Sequence, residues 1–215
     1  IINRSKEPVI FPETTMEQLG VEDPRITKIN DIYYITYVSA SLSPSSVVKN
    51  PYEYGAKWDV RTCLASTTDF QTFTKHGCIL PDMDNKDVVL FPDKIGGKYY
   101  ILHRIFPDIW IASSEDLLNW DNHQILIKPA CNMWDCNRIG AGAPPIKTDK
   151  GWLCIYHGVN DNMVYCLGVL LLDLNDPTKV IYRSTEPILS PSEPYELNGW
   201  ISNVVFTCGV ISLGD

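Results

Sequence analysis

The sequence lacks long apolar runs, helical periodicity and a regular cysteine pattern. Its apolar runs are of strand length, such as residues 88–91, whereas a membrane-spanning helix needs roughly 18 apolar residues. No window repeats apolar residues at the i, i+3, i+4, i+7 spacing of an amphipathic helix over three turns. These absences predict a protein with little helix and no membrane partner.

Cysteine and histidine are present without the spacings that carry chemistry. The seven cysteines are an odd number and form no Cys-x-x-Cys pair, which favours buried thiols in a reducing, cytoplasmic compartment. The four histidines have no metal-ligand spacing. We therefore expect no metal and no cofactor.

Charge and composition exclude further classes. The chain has 215 residues, of which 45% are hydrophobic, so it is not disordered and can bury a core. Its net charge of −8 and pI near 5.0 disfavour nucleic acid and anionic membranes as partners. We expect a single domain over residues 1–215, and a homo-oligomer is compatible with the sequence.

Short strands separated by turns fill most of the chain. Residues 32–38, 98–103 and 152–157 are rich in aromatic and β-branched residues, and each follows a turn-forming pair or triplet. The sequence is therefore predicted to be all-β. Residues 44–54, rich in Ser, Pro, Asn and Tyr, interrupt this pattern and are predicted to be a surface loop.

An internal repeat indicates the architecture. Residues 64–73 resemble residues 111–120, because both have an apolar residue, Ala-Ser, two polar residues, Asp, an apolar residue and later an aromatic one. Residues 170–177 form a looser third copy. A unit that recurs at roughly 45 to 60 residues in an all-β chain is typical of a propeller blade, a four-stranded sheet. A β-sandwich is the alternative.

Two polar segments precede predicted strands. In residues 22–25, Pro24 fixes a turn that projects acidic and guanidinium groups; a structural ion pair is the alternative interpretation. In residues 85–92, Asp87 stands directly before a four-residue apolar run. Partial burial there would raise its pKa, as a general acid near neutral pH requires, whereas an Asp turn before the strand is the alternative.

A third segment, residues 134–147, contains small residues between cationic ones. Gly140-Ala141-Gly142 is no nucleotide loop, because Pro144-Pro145 prevents a following helix; small residues in a β protein instead allow a ligand or a backbone to approach. In a propeller, strand ends can converge on one axial pocket. Four cationic groups from different units would then suit a phosphate or carboxylate: Arg104, Arg138, Lys147 and His157.

These motifs, in order, resemble glycoside hydrolase family 130, the β-mannoside phosphorylases and related β-mannosidases. The resemblance covers nearly the whole chain. It rests on Glu-Asp-Pro-Arg (22–25), Lys-Asp-Val-Val-Leu-Phe-Pro (86–92), Leu-His-Arg (102–104), Gly-Ala-Gly-Ala-Pro-Pro-Ile-Lys (140–147), Ile-Tyr-His-Gly-Val (155–159) and Asn-Val-Val-Phe (203–206). Members are usually longer at both ends, so we expect an incomplete five-bladed propeller in this chain.

The resemblance implies a reaction and a set of residues. Asp87 matches the catalytic acid, which protonates the glycosidic oxygen while inorganic phosphate attacks the opposite face and forms α-mannose 1-phosphate. The phosphate-binding positions implied are Arg104, Arg138, Lys147 and His157. The substrate-binding positions implied are Asp23, Arg25, Lys86 and Asn203. Tyr34, Tyr156 and Trp134 either offer apolar faces to sugar rings or belong to the core.

Two alternatives to a phosphorylase stay open from the sequence. One is a β-mannosidase of the same family, in which water replaces phosphate and a second carboxylate activates it. The other is a carbohydrate-binding propeller without catalytic activity. The sequence leaves the β-1,2 or β-1,4 linkage and the acceptor sugar undetermined.

Overall fold

The computed structural model describes residues 4–45 and 57–213. Helix in these residues is limited to a 3-10 turn at Thr15–Glu17 and the one-turn helix α1 at Pro194–Leu197. The strands are β1 (Gly20–Ile29), β2 (Ile32–Leu42), β3 (Trp58–Thr67), β4 (Thr74–Leu80), β5 (Lys86–Leu90), β6 (Tyr99–Ile105), β7 (Asp108–Ser114), β8 (Asp121–Ile127), β9 (Arg138–Ala141), β10 (Ile146–Lys147), β11 (Trp152–Val159), β12 (Tyr165–Leu172) and β13 (Val180–Arg183).

The strands form three antiparallel sheets in chain order. The first sheet contains β1 to β4 and the second contains β5 to β8, each strand pairing with the next. In the third sheet β9 and β10 both pair with β11, which continues to β12 and β13. The all-β prediction is confirmed, and the strands predicted at residues 32–38, 98–103 and 152–157 correspond to β2, β6 and β11.

The first strands of the three sheets lie side by side, because β5 contacts both β1 and β9. Strand register then places the start of each first strand, the end of the second and the start of the third at one end of the sheet. Lys86, Arg104 and Ile109 are aligned in this way in the second sheet. We call this end of the sheets the proximal end.

The apolar run at residues 88–91 explains how the sheets pack. Val88 and Leu90 belong to the core between the first and second sheets, whereas Val89 and Phe91 belong to the core between the second and third. Alternation along a strand sends successive side chains to opposite faces. A strand with a core on both faces needs a continuous apolar run, and this requirement explains the sequence of β5, the edge strand of the second sheet that is packed between the other two sheets.

The internal repeat is a recurrent turn between the third and fourth strands of a sheet. Asp69 Oδ1 accepts hydrogen bonds from the backbone N–H groups two and three residues later, and so does Asp116 Oδ1. Asp173 Oδ1 makes the same pair of contacts after β12. An aspartate that fixes its own turn is the physical basis of all three copies.

Other features of the described residues bear on the sequence predictions. The predicted loop at residues 44–54 lies outside the described residues from residue 46 onward. No helix in the described residues is long and apolar enough to cross a membrane. Of the seven cysteines, Cys63, Cys154 and Cys166 are buried, three are half-buried and Cys131 is exposed, so the prediction of buried thiols holds for part of the set.

Candidate active site

Asp87 occupies a β-bulge at the proximal end of β5. The register of β5 against β6 shifts between Lys86 and Val89, and Asp87 has a left-handed φ of 57°. Bulges redirect a side chain out of the regular alternation of a strand. The Asp87 side chain is 3% exposed, so its carboxyl group is buried although it stands at a strand end.

Three cationic side chains from three other strands surround this carboxyl group. Arg25 Nη2 donates a hydrogen bond of 3.1 Å to Oδ1. Arg104 Nη1 lies 2.9 Å from Oδ2, and His157 Nε2 lies 3.6 Å from the same atom. Oδ2 accepts no hydrogen bond from any described residue, so Arg104 contacts it as an ion pair without hydrogen-bond geometry.

Gly140 makes this arrangement sterically possible. A Cβ atom at residue 140 would overlap with Asp87 Oδ2 and lie 2.7 Å from His157 Nε2. Glycine therefore lets β9 run directly behind the two side chains. The prediction that the small residues of this segment allow a close approach is confirmed, and the approaching groups are side chains of the cluster itself.

The pKa of Asp87 corrects a sequence prediction. Burial alone would raise this pKa, but the Coulomb interactions with His157, Arg104 and Arg25 lower it below the usual aspartate value. The prediction of a raised pKa was therefore wrong for the unliganded site. It considered burial, which is local in sequence, and not the cations, which come from distant strands.

His157 is neutral near neutral pH. Burial lowers its pKa to about 4; Asp87 opposes this shift, and the nearby arginines add to it. Its Nδ1 atom is buried and has no hydrogen-bond partner among the described residues. The arginines therefore carry the positive charge that keeps Asp87 ionised at neutral pH.

Arg25 ties the first strands together instead of facing solvent. Its side chain is 1% exposed, and Nε donates to the Gly142 carbonyl at 2.8 Å while Nη1 donates to the Asp23 carbonyl at 3.2 Å. Nη2 serves both Asp87 and the Ala141 carbonyl. Burial and these bonds hold the guanidinium group against the protein and orient Asp87, while its role as a sugar contact stays a prediction. The structural ion pair considered for this segment is formed, with Asp87 as the partner.

Arg138 is at the proximal end of β9 and has no carboxylate within 4 Å among the described residues. Its Nη2 donates to the Tyr165 hydroxyl, and its guanidinium group lies 5.2 Å from the centre of the Tyr165 ring. That ring stacks on His157 with centroids 6.2 Å apart, and the Phe206 ring lies 4.7 Å from His157 on another side. No sequence motif includes Tyr165, so it was not among the predicted site residues.

The remaining predicted substrate residues lie around the cluster. Asp23 is half-buried, and burial raises its pKa although Arg25 opposes the shift. Lys86 pairs with Glu22 at 3.1 Å. The Asn203 carbonyl accepts a hydrogen bond from the Tyr165 N–H at 2.9 Å. Asp23 and Asn203 share the left-handed backbone of Asp87, with φ values of 54° and 61°.

Lys147 lies apart from the cluster, and its role as a phosphate ligand stays a prediction. It lies in β10 opposite Trp152, whereas Gly140 in β9 lies opposite His157 on the same strand. Trp152 and His157 are five positions apart along β11, which corresponds to roughly 16 Å at a rise of about 3.3 Å per residue. Lys147 Nζ instead contacts Asp93 Oδ2 at 2.8 Å on the surface.

The three aromatic candidates can be assigned from their packing. Tyr156 is 1% exposed, Trp134 packs 5.4 Å from its ring, and Tyr34 packs partly buried against the core between the first two sheets. The core alternative is therefore confirmed for these three. Within residues 4–45 and 57–213, no group of three or more His, Cys, Asp or Glu side chains could hold a metal ion.

The cluster thus combines one buried carboxylate with an excess of positive charge. Arg25 is committed to Asp87, while Arg104 and Arg138 face the proximal end partly exposed. An acid next to partly exposed guanidinium groups can deliver a proton to one group and bind an anion beside it.

Comparisons with known proteins agree with this chemistry. The profile of glycoside hydrolase family 130, described as beta-1,4-mannooligosaccharide phosphorylase, matches residues 2–215. A 1,2-beta-oligomannan phosphorylase from Thermoanaerobacter sp. (strain X514) is 48% identical over 96% of this chain and 65% of its own length. A beta-1,2-mannobiose phosphorylase from the same organism is 46% identical over 99% of this chain and 66% of its own length.

A solved structure gives the same comparison in three dimensions. Beta-1,2-mannobiose phosphorylase from Listeria innocua, in complex with beta-1,2-mannobiose, superposes with a TM-score of 0.87 at 40% identity. The match covers 98% of this chain and 57% of that one. The chain therefore spans just under two thirds of the length of the two curated relatives and less of the Listeria chain.

Proposed function

The chain belongs to glycoside hydrolase family 130, and from this premise we propose that it catalyses the inverting phosphorolysis of β-mannosides. The reaction gives α-mannose 1-phosphate and a sugar one residue shorter. The observation that carries the proposal is the pairing of one buried carboxyl group, Asp87, with partly exposed arginines at the same end of the sheets.

In the proposed mechanism Asp87 is the general acid. It protonates the leaving glycosidic oxygen through a sugar hydroxyl, the bond from C1 to that oxygen breaks, and a phosphate oxygen bonds to C1 from the opposite face. Arg104, Arg138 and His157 hold the phosphate, while Asp23, Lys86 and Asn203 contact the sugar. Arg25 positions the acid.

Phosphate is favoured over water by the charge of the cluster. A phosphate dianion matches the guanidinium groups of Arg104 and Arg138, and Arg138 has no carboxylate partner within the described residues. Hydrolysis is the second candidate, because an inverting hydrolase needs a second carboxylate and Asp23 is a half-buried one near Asp87. Asp23 acts as the water-activating base under that alternative.

The comparisons also support a substrate and an architecture. The two curated relatives and the Listeria structure are described as acting on or binding β-1,2-linked mannose, whereas the family description is β-1,4. We propose β-1,2-linked mannosides as the preferred substrates. We also propose that the three sheets are blades of a five-bladed propeller whose axis passes through the Asp87 cluster, in a cytoplasmic protein that needs no cofactor.

The experiment is a phosphate-dependence assay on the full-length protein with β-1,2- and β-1,4-linked mannobiose. We expect mannose 1-phosphate only when phosphate is present, and faster turnover of the β-1,2 substrate. Asp87→Asn should lower kcat by about 10³-fold, within the range that general acids contribute. Free mannose released at the same rate without phosphate would identify a hydrolase, and sugar binding without turnover would identify a binding module.

A further inference from the structure

Asp87, the proposed acid, is held in its ionised form by the residues around it. Asp87 must carry a proton to donate it, yet the surrounding cations keep the carboxyl group ionised. Oδ2 accepts no hydrogen bond from a described residue, and the nearby carboxylate Asp23 does not reverse the effect of the cations. The protonated acid must therefore arise after some other group enters the site.

The two arginines that contact Asp87 differ in how firmly they are held. Arg25 is 1% exposed and bonded to three backbone carbonyls as well as to the carboxylate. The Arg104 side chain is 19% exposed, and its single polar contact within the described residues is the ion pair to Asp87 Oδ2. Arg104 can therefore turn toward an entering anion, whereas Arg25 cannot.

A second arginine lies beside this pair. The Gly140 backbone packs directly against Asp87 Oδ2 and His157, and His157 Nδ1 has no hydrogen-bond partner within the described residues. Arg138, without a carboxylate partner, lies next to His157 through their shared contact with Tyr165. An anion bound between Arg104 and Arg138 therefore lies close to Asp87.

We propose that phosphate binding causes Asp87 to become protonated. On binding, phosphate draws Arg104 away from Asp87 and adds its own negative charge beside the carboxyl group. Asp87 then takes up the proton that it later donates. This inference rests on the proposed function. Its consequence is that the chain without phosphate holds an ionised Asp87 and cannot protonate a leaving group. Strict phosphate dependence then has two causes, a missing nucleophile and an unprotonated acid.

Several titratable or charged groups lie around Asp87 in the described residues. They are Glu22, Asp23 and Arg25 from β1, Lys86 from β5, Arg104 from β6, Arg138 from β9, His157 from β11, and Cys208 after α1. Of these, His157, with a pKa of about 4, and Asp23, whose pKa is raised by burial, can also gain a proton when an anion binds. The test must therefore distinguish Asp87 from an imidazole and from a neighbouring carboxyl group, and the comparison with Asp87→Asn makes the second distinction.

The test combines infrared difference spectroscopy with calorimetry on the full-length protein, using inorganic phosphate without sugar. The pH is set about one unit above the ordinary aspartate pKa. Phosphate is expected to produce a protonated-carboxyl band that is absent from Asp87→Asn. Titrations in buffers of different ionisation enthalpy are expected to show an extra uptake on the order of half a proton per site relative to Asp87→Asn.

The outcomes separate the proposal from the function on which it rests. Two results would overturn the proposed protonation of Asp87 without contradicting phosphorolysis. One is phosphate binding without the carboxyl band, and the other is proton uptake that is equal in the wild type and Asp87→Asn. No phosphate binding to either protein overturns the phosphate site itself. Uptake without the band assigns the proton to His157 and also overturns the proposal.

A second variant tests the part played by Arg104. In Arg104→Gln the exposed cation is absent, so the carboxyl band is expected at the same pH before phosphate is added. An unliganded spectrum identical to that of the wild type would show that Arg104 does not hold Asp87 ionised. Folding of this variant is checked by its thermal transition, which the loss of a partly exposed side chain should change little.

Discussion

Asp87 and Asp135 are two buried carboxylates, each with an arginine partner, yet they occupy very different surroundings. The Asp135 side chain is 0% exposed and its Oδ2 accepts hydrogen bonds from Arg183 and from the Tyr156 hydroxyl at 2.8 Å. Each carboxylate also has one oxygen that accepts no hydrogen bond from a described residue. By burial and pairing alone, either could be mistaken for the site.

The difference lies in the neighbours. Asp135 is enclosed by Trp134, Tyr156 and the backbone at Gly158, and its one cation, Arg183, is also bonded to the Lys128 carbonyl and the Tyr156 hydroxyl. Asp87 has more cations than it can neutralise, and one of them is held by a single contact. A buried ion pair stabilises a fold; a buried acid with surplus, partly exposed positive charge is equipped to bind and react.

The largest expected effect that separates the two clusters is on stability. Asp135→Asn leaves Arg183 without its ionic partner and should lower the free energy of unfolding by about 3 kcal/mol, the lower end of the cost of breaking a buried pair. The kcat of the folded fraction should stay within about two-fold of wild type. Urea unfolding and steady-state kinetics check this, with Asp87→Asn as the converse case; equal losses of activity in both would abolish the distinction.

A glycine in each cluster provides a matched pair of variants. Gly140→Ala pushes a methyl group into Asp87 and His157 and should lower kcat by about 100-fold, the cost of misplacing a catalytic group by about 1 Å. Gly158→Ala pushes into Trp134 and Asp135 and should lower stability by about 3 kcal/mol, with kcat nearly unchanged. Kinetics and thermal unfolding of both variants are the measurement. An active Gly140→Ala would show that Asp87 is not the acid.

Acid sensitivity should also differ between the clusters. His157 has a folded-state pKa of about 4, below its unfolded value near 6.5, so the unfolded chain binds more protons between these values. Stability should therefore fall as pH falls from about 6.5 to 4, by up to about 1.4 kcal/mol per pH unit from this residue. His157→Gln should flatten that slope. Urea unfolding of the wild type and of this variant at several pH values measures both slopes.

The smallest expected effect distinguishes two cations with similar sequence contexts. Arg138→Gln should raise the KM for phosphate about 10-fold, as expected when one charge-assisted contact is lost. Lys147→Gln should change it by less than about two-fold, because Lys147 contacts Asp93 at the other end of the third sheet. Phosphate titrations at saturating mannoside measure both values. A Lys147 effect as large as that of Arg138 would contradict the placement of the anion at the proximal end.

Local patterns in the sequence predicted the elements well. The all-β class, the strands β2, β6 and β11, and the turns at Asp69 and Asp116 each depend on residues a few positions apart. The apolar run at residues 88–91 predicted a buried strand, and the glycine at residue 140 predicted a close approach. Alternation and turn chemistry act over short stretches, so one sequence suffices to detect them.

The properties of the site depend on contacts between residues that are far apart in the sequence, and these contacts could not be predicted from local patterns. Arg25 and Asp87 are 62 positions apart, and this contact, together with the Coulomb interactions with His157 and Arg104, reverses the expected pKa shift of the acid. Lys147 is adjacent in sequence to the glycine segment but distant in space, while Tyr165 belongs to no motif and yet joins Arg138 to His157. Secondary structure follows from short-range sterics and hydrogen bonding, which the sequence by itself determined; the charge state of Asp87 follows from Coulomb interactions across three sheets, which only the tertiary structure decided.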